Sequence, residues 1–408
     1  MRTSFLALMA ALVLAAGCTE PPKTSTPPPG PTTPAMGSPV SASGKARIAL
    51  LLPLSGGAAP IGQSMQQAAE MALFDAGARD LALSAYDSGD NAAAATEAYS
   101  KARTAGTALV LGPLFGTSAT ALAPLVAQGG ANVVAFSNDE AAAQPGVWVM
   151  GIAAPPQVRR VVDHAIDAGI KRFATFAPQT SYGEQMARTL ESHVAVRGGT
   201  VVATELYDPN SYDLMPSARR LASESQARAG TTAGGTAGGT AGATAGSGGK
   251  LAILVPVPPP RLSPVLSALI AAGLDKDAVQ FIGTGVWDVQ GIGADTMLHG
   301  AWYAAPDPAR RADFERRFTS TYGRPPHRLA TLAYDGVGLA GHLGRVKPGG
   351  DFSAEAITNP NGWSGVDGIF RFLPDGRSER ALAVIEIQAG RNVVVSPAPA
   401  TFTARPVN

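Results

Sequence analysis

Residues 46–54 (ARIALLLPL) are apolar at nearly every position, the pattern of a parallel strand buried on both faces. A turn is expected over residues 56–62, and residues 64–76 carry good helix formers up to Gly77, which ends the helix. The strand signal returns at residues 81–87, 108–111, 132–137 and 147–150, with alanine-rich helical stretches between several of them. That alternation predicts a doubly wound α/β lobe. It restarts after Pro155-Pro156: a helix to Gly169, strand 172–177, helix 182–197, strand 201–207, helix 212–227, strand 251–256, helix 261–272 and strand 279–283. A second lobe is therefore expected. Helices at 308–322 and 329–343 follow, and residues 369–372, the turn Pro374-Asp375-Gly376 and residues 381–387 read as a β-hairpin.

Three stretches lie outside this rhythm. Residues 1–17 read as an export signal: Arg2, an apolar run over residues 5–16, and the small residues Ala15-Ala16-Gly17. Leu14-Ala15-Ala16-Gly17-Cys18 resembles a bacterial lipobox, which implies lipidation of Cys18, the single cysteine of the chain. One cysteine excludes an internal disulfide and a cysteine-rich metal site. Residues 18–45 are rich in Pro, Thr, Ser and Gly, which cannot build a core and favour an extended tether. Residues 229–250, largely Gly, Thr and Ala, are expected to form a flexible surface loop.

Composition narrows the function. The 408 residues exceed what one core usually organises, with 45% apolar residues and a formal net charge of +1. Neither a nucleic-acid partner nor a disordered chain fits that balance. The five histidines (His164, His193, His299, His327, His342) show no metal-ligand spacing. No Gly-x-Ser-x-Gly elbow occurs, and the Ser-x-x-Lys at residues 247–250 falls within the Gly-rich stretch rather than at a helix start. A non-enzyme without catalytic residues, cofactor or metal is expected.

In open α/β lobes, ligands sit beyond the C-terminal ends of strands, where loops and helix N-termini present free N–H groups. That rule selects Ser55, Asp87, Leu114, Phe115, Ser137, Asn138, Tyr182, Trp287 and Asp288 as cleft candidates. Ser, Asn and Asp also favour turns, so the same positions serve as loop punctuation.

RIALLLPLSG at the first strand, LVLGPLFG at residues 109–116, VVAFSND at 133–139 and SYGEQMARTL at 181–190 together resemble the type 1 periplasmic binding proteins, in their leucine, isoleucine and valine-binding branch. The resemblance implies two doubly wound lobes with three interlobe crossovers: residues 46–153 plus 303–360 in the N-terminal lobe, and 154–302 plus 361–397 in the C-terminal lobe. It also implies a ligand carboxylate held near Ser137 and Asn138, a ligand body packed on Tyr182, and an ammonium received by Asp288 or Asp213. Leu114-Phe115 stand where small hydroxyl residues are common, which removes donors from that pocket.

FIGTGVWD at 281–288, YGRPPHRLATLAYD at 322–335 and GVDGIFRFLPDGRSERALAV at 365–384 resemble the penicillin-binding-protein activator lipoproteins. This resemblance implies a membrane-tethered periplasmic regulator that touches a peptidoglycan synthase; Thr19 after Cys18, where an Asp would favour inner-membrane retention, points to anchoring in the outer membrane. The alternative is the solute-binding subunit of an ABC importer, delivering branched-chain or related amino acids to a permease.

Overall fold

Five of the apolar runs pair as one parallel sheet in a computed structural model that describes residues 44–231 and 249–402. The expected export signal, Cys18, most of the tether and residues 232–248 lie outside the described residues. β1 (Ala46–Leu52), α1 (Ala59–Asp75), β2 (Leu81–Asp87), α2 (Ala92–Thr104), β3 (Leu109–Leu111), α3 (Gly116–Ala127), β4 (Asn132–Ala135) and β5 (Val147–Val149) follow in turn. The strand order is β2-β1-β3-β4-β5. Continuous apolarity in β1 has a direct consequence. Ile48, Leu50 and Leu52 join the core beneath α1, whereas Ala49 and Leu51 join a second core with Tyr99 of α2 and Leu122 of α3.

The second lobe repeats the plan with α4 (Ala154–Asp167), β6 (Arg172–Pro178), α5 (Ser181–Val196), β7 (Thr200–Tyr207), α6 (Met215–Thr231), β8 (Leu251–Leu254), α7 (Pro259–Ala271), β9 (Val279–Gly283) and β10 (Trp302–Ala305). α6 starts after the expected residue 212 and runs into the stretch expected to be loop from residue 229. Asp213 accounts for the late start, because its Oδ1 accepts the N–H of Met215 at 2.9 Å and caps the helix.

The chain then returns to the first lobe with α8 (Pro308–Tyr322), α9 (Ala330–Arg345) and the short α10 (Ala354–Ile357). Phe314 and Phe318 of α8 pack with Ala68 and Met71 of α1, and Leu332, Val337 and Leu343 of α9 enter the β1 core. β11 (Trp363–Gly365), β12 (Gly368–Phe372) and β13 (Ser378–Arg380) form a small antiparallel sheet, and β14 (Ala383–Gln388) and β15 (Arg391–Ser396) close the second lobe. The large sheet has the order β15-β14-β10-β9-β8-β6-β7, antiparallel only at β10/β14 and β14/β15.

Two expected features move. The hairpin partner of β12 is Ser378–Arg380, not residues 381–387, which cross to the second lobe and pair with β10. Sheet membership also shifts the lobe divisions expected at 302/303 and 360/361. Residues 303–305 stay in the second sheet, and Phe370 and Phe372 pack with Phe136 and Trp148 in the first-lobe core. Trp148 Nε1 donates to Leu373 O at 3.0 Å, tying this segment down. The chain thus crosses between lobes three times, at residues 150–153, 306–307 and 381–382.

Each lobe brings a helix start against the end of the preceding strand through a glycine. A Cβ on Gly62 in α1 would fall 2.0 Å from Pro53 O, and one on Gly183 in α5 would fall 2.1 Å from Pro178 O. No helix among the described residues is long and apolar enough to cross a membrane.

Candidate functional site

The first two crossings border a cavity of about 270 Å³ lined from both lobes. From the first lobe come Leu114, Phe136, Ser137 and Asn138 beyond strands β3 and β4, with Arg328, Leu329 and Leu332 at the start of α9. Tyr182, Gly285, Val286 and Asp288 face them from the second, and Gly151, Ile152, Ala305 and Pro306 come from the crossings. The site thus sits where open α/β sheets place ligands, beyond the carboxyl ends of the strands.

Most polar groups in the cavity wall already have partners. Gln157, near the start of α4, donates through Nε2 to Ile152 O (3.2 Å) and Ala153 O (3.0 Å), while its Oε1 accepts the N–H of Gly285. It therefore couples the first crossing to the loop after β9. The Tyr182 hydroxyl shares a 2.9 Å hydrogen bond with Oγ1 of the buried Thr284, and burial pushes its phenol above the ordinary range. Ser137 is 4% exposed, and its Oγ accepts the N–H of Asp139 at 3.0 Å, which leaves its own proton available to a ligand. Asn138 beside it is exposed.

Charge is concentrated on one side. Oδ2 of Asp288 pairs with Arg311 at 2.7 Å and stands 3.6 Å from Nε of Arg328, while its Oδ1 accepts from Arg311 at 3.3 Å. Arg328 also pairs with both oxygens of the buried Asp367, at 3.0 and 3.1 Å. Burial alone would raise the Asp367 carboxyl, but the Arg328 and Arg380 guanidinium groups outweigh it and hold the carboxyl below its usual range. Asp335 lies in the same cluster. Its Oδ1 accepts the N–H of Val366 at 2.7 Å, and its Oδ2, without a hydrogen-bond partner, is 3.9 Å from Arg380. Burial pushes Asp335 up to about 7 against the pull of Arg380. Arg380 donates to Met150 O at 3.3 Å, so the cluster also ties the first crossing to the third.

Of the sequence candidates, Leu114, Ser137, Asn138, Tyr182 and Asp288 come together around this cavity. The other four do not line it. Ser55 and Asp87 flank a separate surface depression with Glu97 and Lys101; Asp87 Oδ1 accepts the N–H groups of Leu54 and Gly89, both at 2.9 Å, and the Ser55 hydroxyl helps hold its carboxyl down. Phe115 precedes α3 and packs on the first-lobe core. Trp287 is fully buried in the second lobe, with Nε1 donating to Val257 O at 3.0 Å, so its ring fills the core instead of the cleft. Asp213 serves as a helix cap, and the carboxylate of Asp288 is taken by arginines.

Sequence reasoning missed Gln157, Thr284, Arg311 and Arg328. Arg328 lies within YGRPPHRLATLAYD, just before a helix N-terminus, which is the one local signal that marked it. Arg311 carries no such signal, because its role depends on a partner 23 residues away.

Two doubly wound lobes, three crossings and a cleft between them define a type 1 periplasmic binding protein. The chain belongs to the periplasmic binding protein family, whose sequence pattern matches residues 45–392. An uncharacterized protein of Rickettsia prowazekii is 24% identical over 180 residues, 44% of this chain and 47% of that one, so the match spans about half of the curated relative's length. The fold is similar to that of a putative branched-chain amino acid ABC transporter from Rhodospirillum rubrum, with TM-score 0.70, 20% identity, and 86% of this chain and 100% of that one covered. It is also similar to a substrate-binding protein of an ABC transporter from Desulfitobacterium hafniense in complex with Leu, with TM-score 0.60, 19% identity, and 86% and 100% covered.

Proposed function

We propose that the protein is the solute-binding component of an ABC importer, holding a small, largely apolar solute between its lobes and presenting it to a permease. The observation that carries this reading is the cavity at the lobe junction, with mainly apolar walls and a few convergent polar groups from both lobes. The fold neighbours support the same reading, since the two compared above are named as parts of ABC transporters. The lipobox-like sequence at Cys18 supports a lipid anchor, and the Pro/Thr-rich stretch after it supports a tether.

Binding is tested by thermal unfolding of the full chain against amino acids, small carboxylic acids and peptidoglycan fragments. A solute present at about 100 times its dissociation constant stabilises the fold by about 2.7 kcal/mol. The shift is expected with one chemical class and is expected to vanish in Ile152→Trp, which fills the cavity.

The activator-lipoprotein motifs support a second reading, a contact regulator of a peptidoglycan synthase. The observation that favours it is Leu114, whose apolar side chain faces the cavity where a hydroxyl donor would serve an amino-acid carboxylate. Silence across the whole solute panel, together with capture of a penicillin-binding protein by the full chain and by Ile152→Trp alike, is the outcome that selects this second reading.

A further inference from the structure

Exposed apolar and basic side chains gather at the end of the first lobe that lies away from the cleft. Helices α1 and α9 pack side by side and both run toward this end. Leu332, near the start of α9, lines the cavity, whereas a Cβ on Gly344, near its finish, would fall 2.8 Å from Leu81 at the start of β2. Arg345 of α9 donates to Ala76 O at 3.4 Å and joins the two helix ends. In the last turn of α1, Phe74 is 87% exposed, and Val346, just after α9, is 56% exposed. No other phenylalanine among the described residues is exposed.

The same end is basic. Lys45, Arg47, Arg79, Arg103 and Arg345 are all exposed there. The strand starts fix their places: Ala46 N–H donates to Asp80 O at 2.9 Å beside Arg79, and Arg47 donates to Ala105 O at the end of α2, next to the last turn that carries Arg103. Of the carboxylates nearby, Asp75 is taken by Arg317 and Asp351 by Lys347, which leaves Asp80 and Glu355. Arginines in a last helical turn offset the helix dipole, as Arg103 and Arg345 do. Lys45 and Arg79 lie outside the helices, and a dipole gives no reason for an exposed Phe74.

The chain also enters here. Residues 18–45 join the lipobox-like Cys18 to the start of β1, so an acyl chain on that cysteine is connected to this end of the lobe and not to the cleft end.

We propose that this end of the first lobe is a membrane-docking surface, with Phe74 and Val346 entering the interface of an anionic bilayer and Arg79, Arg103 and Arg345 meeting lipid phosphates. The bilayer is the one that holds the chain's own anchor. The acyl chains supply the attachment, and the patch sets the orientation, so that the cleft, at the far ends of the strands, opens toward the aqueous phase. The proposal takes up the lipid-anchor reading of Cys18 and is independent of what the cleft holds.

Cys18 is the single cysteine, so Cys18→Ser in the full chain removes the lipidation site and makes an introduced thiol the only one. In that background Val346→Cys, and Val196→Cys at an 81% exposed position of the second lobe, are each labelled with an environment-sensitive dye. Both are mixed with vesicles of phosphatidylcholine alone or of an equimolar mixture with phosphatidylglycerol. Residues 1–17 are the same in every variant, so any vesicle binding of their own cancels in the comparison. A blue shift is expected at residue 346 with the anionic vesicles only, lost at high salt, and absent at residue 196. Adding Phe74→Ser is expected to weaken vesicle binding about tenfold, and adding Arg79→Gln with Arg103→Gln at least about tenfold, each with an unchanged unfolding midpoint. No shift at residue 346, an equal shift at residue 196 or with uncharged vesicles, or binding indifferent to Phe74→Ser overturns the proposal. A shift that grows with protein concentration in the absence of vesicles assigns the patch to a second copy of the chain and also overturns it.

Discussion

Asp288, in the loop that follows β9 of the second lobe, accepts a 2.7 Å ion pair from Arg311 on α8 of the first. With Arg328 approaching the same carboxylate, one second-lobe side chain is held by two first-lobe arginines across the mouth of the cleft. Both members of the closer pair are nearly buried, so each relies on its few charged neighbours, Arg311 also reaching Glu315 at 3.1 Å.

Removing both partners is therefore expected to cost less than the two single removals added together. Arg311→Met and Asp288→Leu, made singly, are expected to lower stability by about 3 kcal/mol each, and the double variant by less than the sum of the two. Urea unfolding of the four proteins of this cycle measures the coupling, and additive losses are the result that would contradict it.

Gly62 and Gly183 reverse the usual helix rule. Glycine inside a helix ordinarily costs about 1 kcal/mol relative to alanine. Here an alanine Cβ would enter the carbonyl oxygen of Pro53 or Pro178. Gly62→Ala and Gly183→Ala are each expected to destabilise by about 1–3 kcal/mol through overpacking, read as a lower thermal midpoint. A rise in midpoint for either would show that the strand end retreats freely.

Asp335 confers a pH dependence whose sign is the reverse of that for a salt-bridged aspartate. Its folded-state value, pushed up to about 7 by burial, lies above that of the unfolded chain, so the native protein keeps a proton that the unfolded chain releases. The contribution of this group is fully present below about pH 4 and is lost as pH rises to about 7. Asp335→Asn is accordingly expected to gain on the wild type by about 2 kcal/mol between pH 5 and pH 8, measured as the difference in unfolding free energy. A constant difference across that range would place the Asp335 carboxyl in the ordinary range.

Trp287 separates core from cleft. Trp287→Ala is expected to cost about 3–5 kcal/mol by opening a cavity among fully buried neighbours. Trp287→Phe, which loses the hydrogen bond to Val257 O, is expected to leave the affinity of any cleft ligand within twofold while lowering the unfolding midpoint. A large affinity loss without a stability loss would return Trp287 to the binding surface.

The strands and helices were legible wherever apolar runs were bounded by turn residues. β2, β9 and α8 occupy the expected residues 81–87, 279–283 and 308–322. α1 begins at Ala59, five residues before the expected start at 64, because Gly62 reads as a turn residue in the chain but serves a close backbone approach in the fold. At the site, Ser137, Asn138 and Tyr182 could be marked in advance, since they follow strands whose positions were plain. Asp288 lines the cavity, and its carboxylate is paired with arginines. A carboxylate that looks free beside its neighbours in sequence is paired by arginines 23 and 40 residues further on.

The sequence by itself determined the alternation of strands and helices in two successive βα series, because each apolar run and each helical face is a local pattern that must be buried whatever covers it. Only the tertiary structure decided that Phe370 and Phe372 pack in the first lobe while Val384 and Ile385 pair in the second, since both segments are equally apolar and the choice depends on which sheet has an uncovered face. It also decided that Trp287 fills a core and that Asp288 is paired with Arg311 and Arg328. A side chain's burial and charge state depend on groups brought to it through space, and the spacing of residues along the chain does not reveal them.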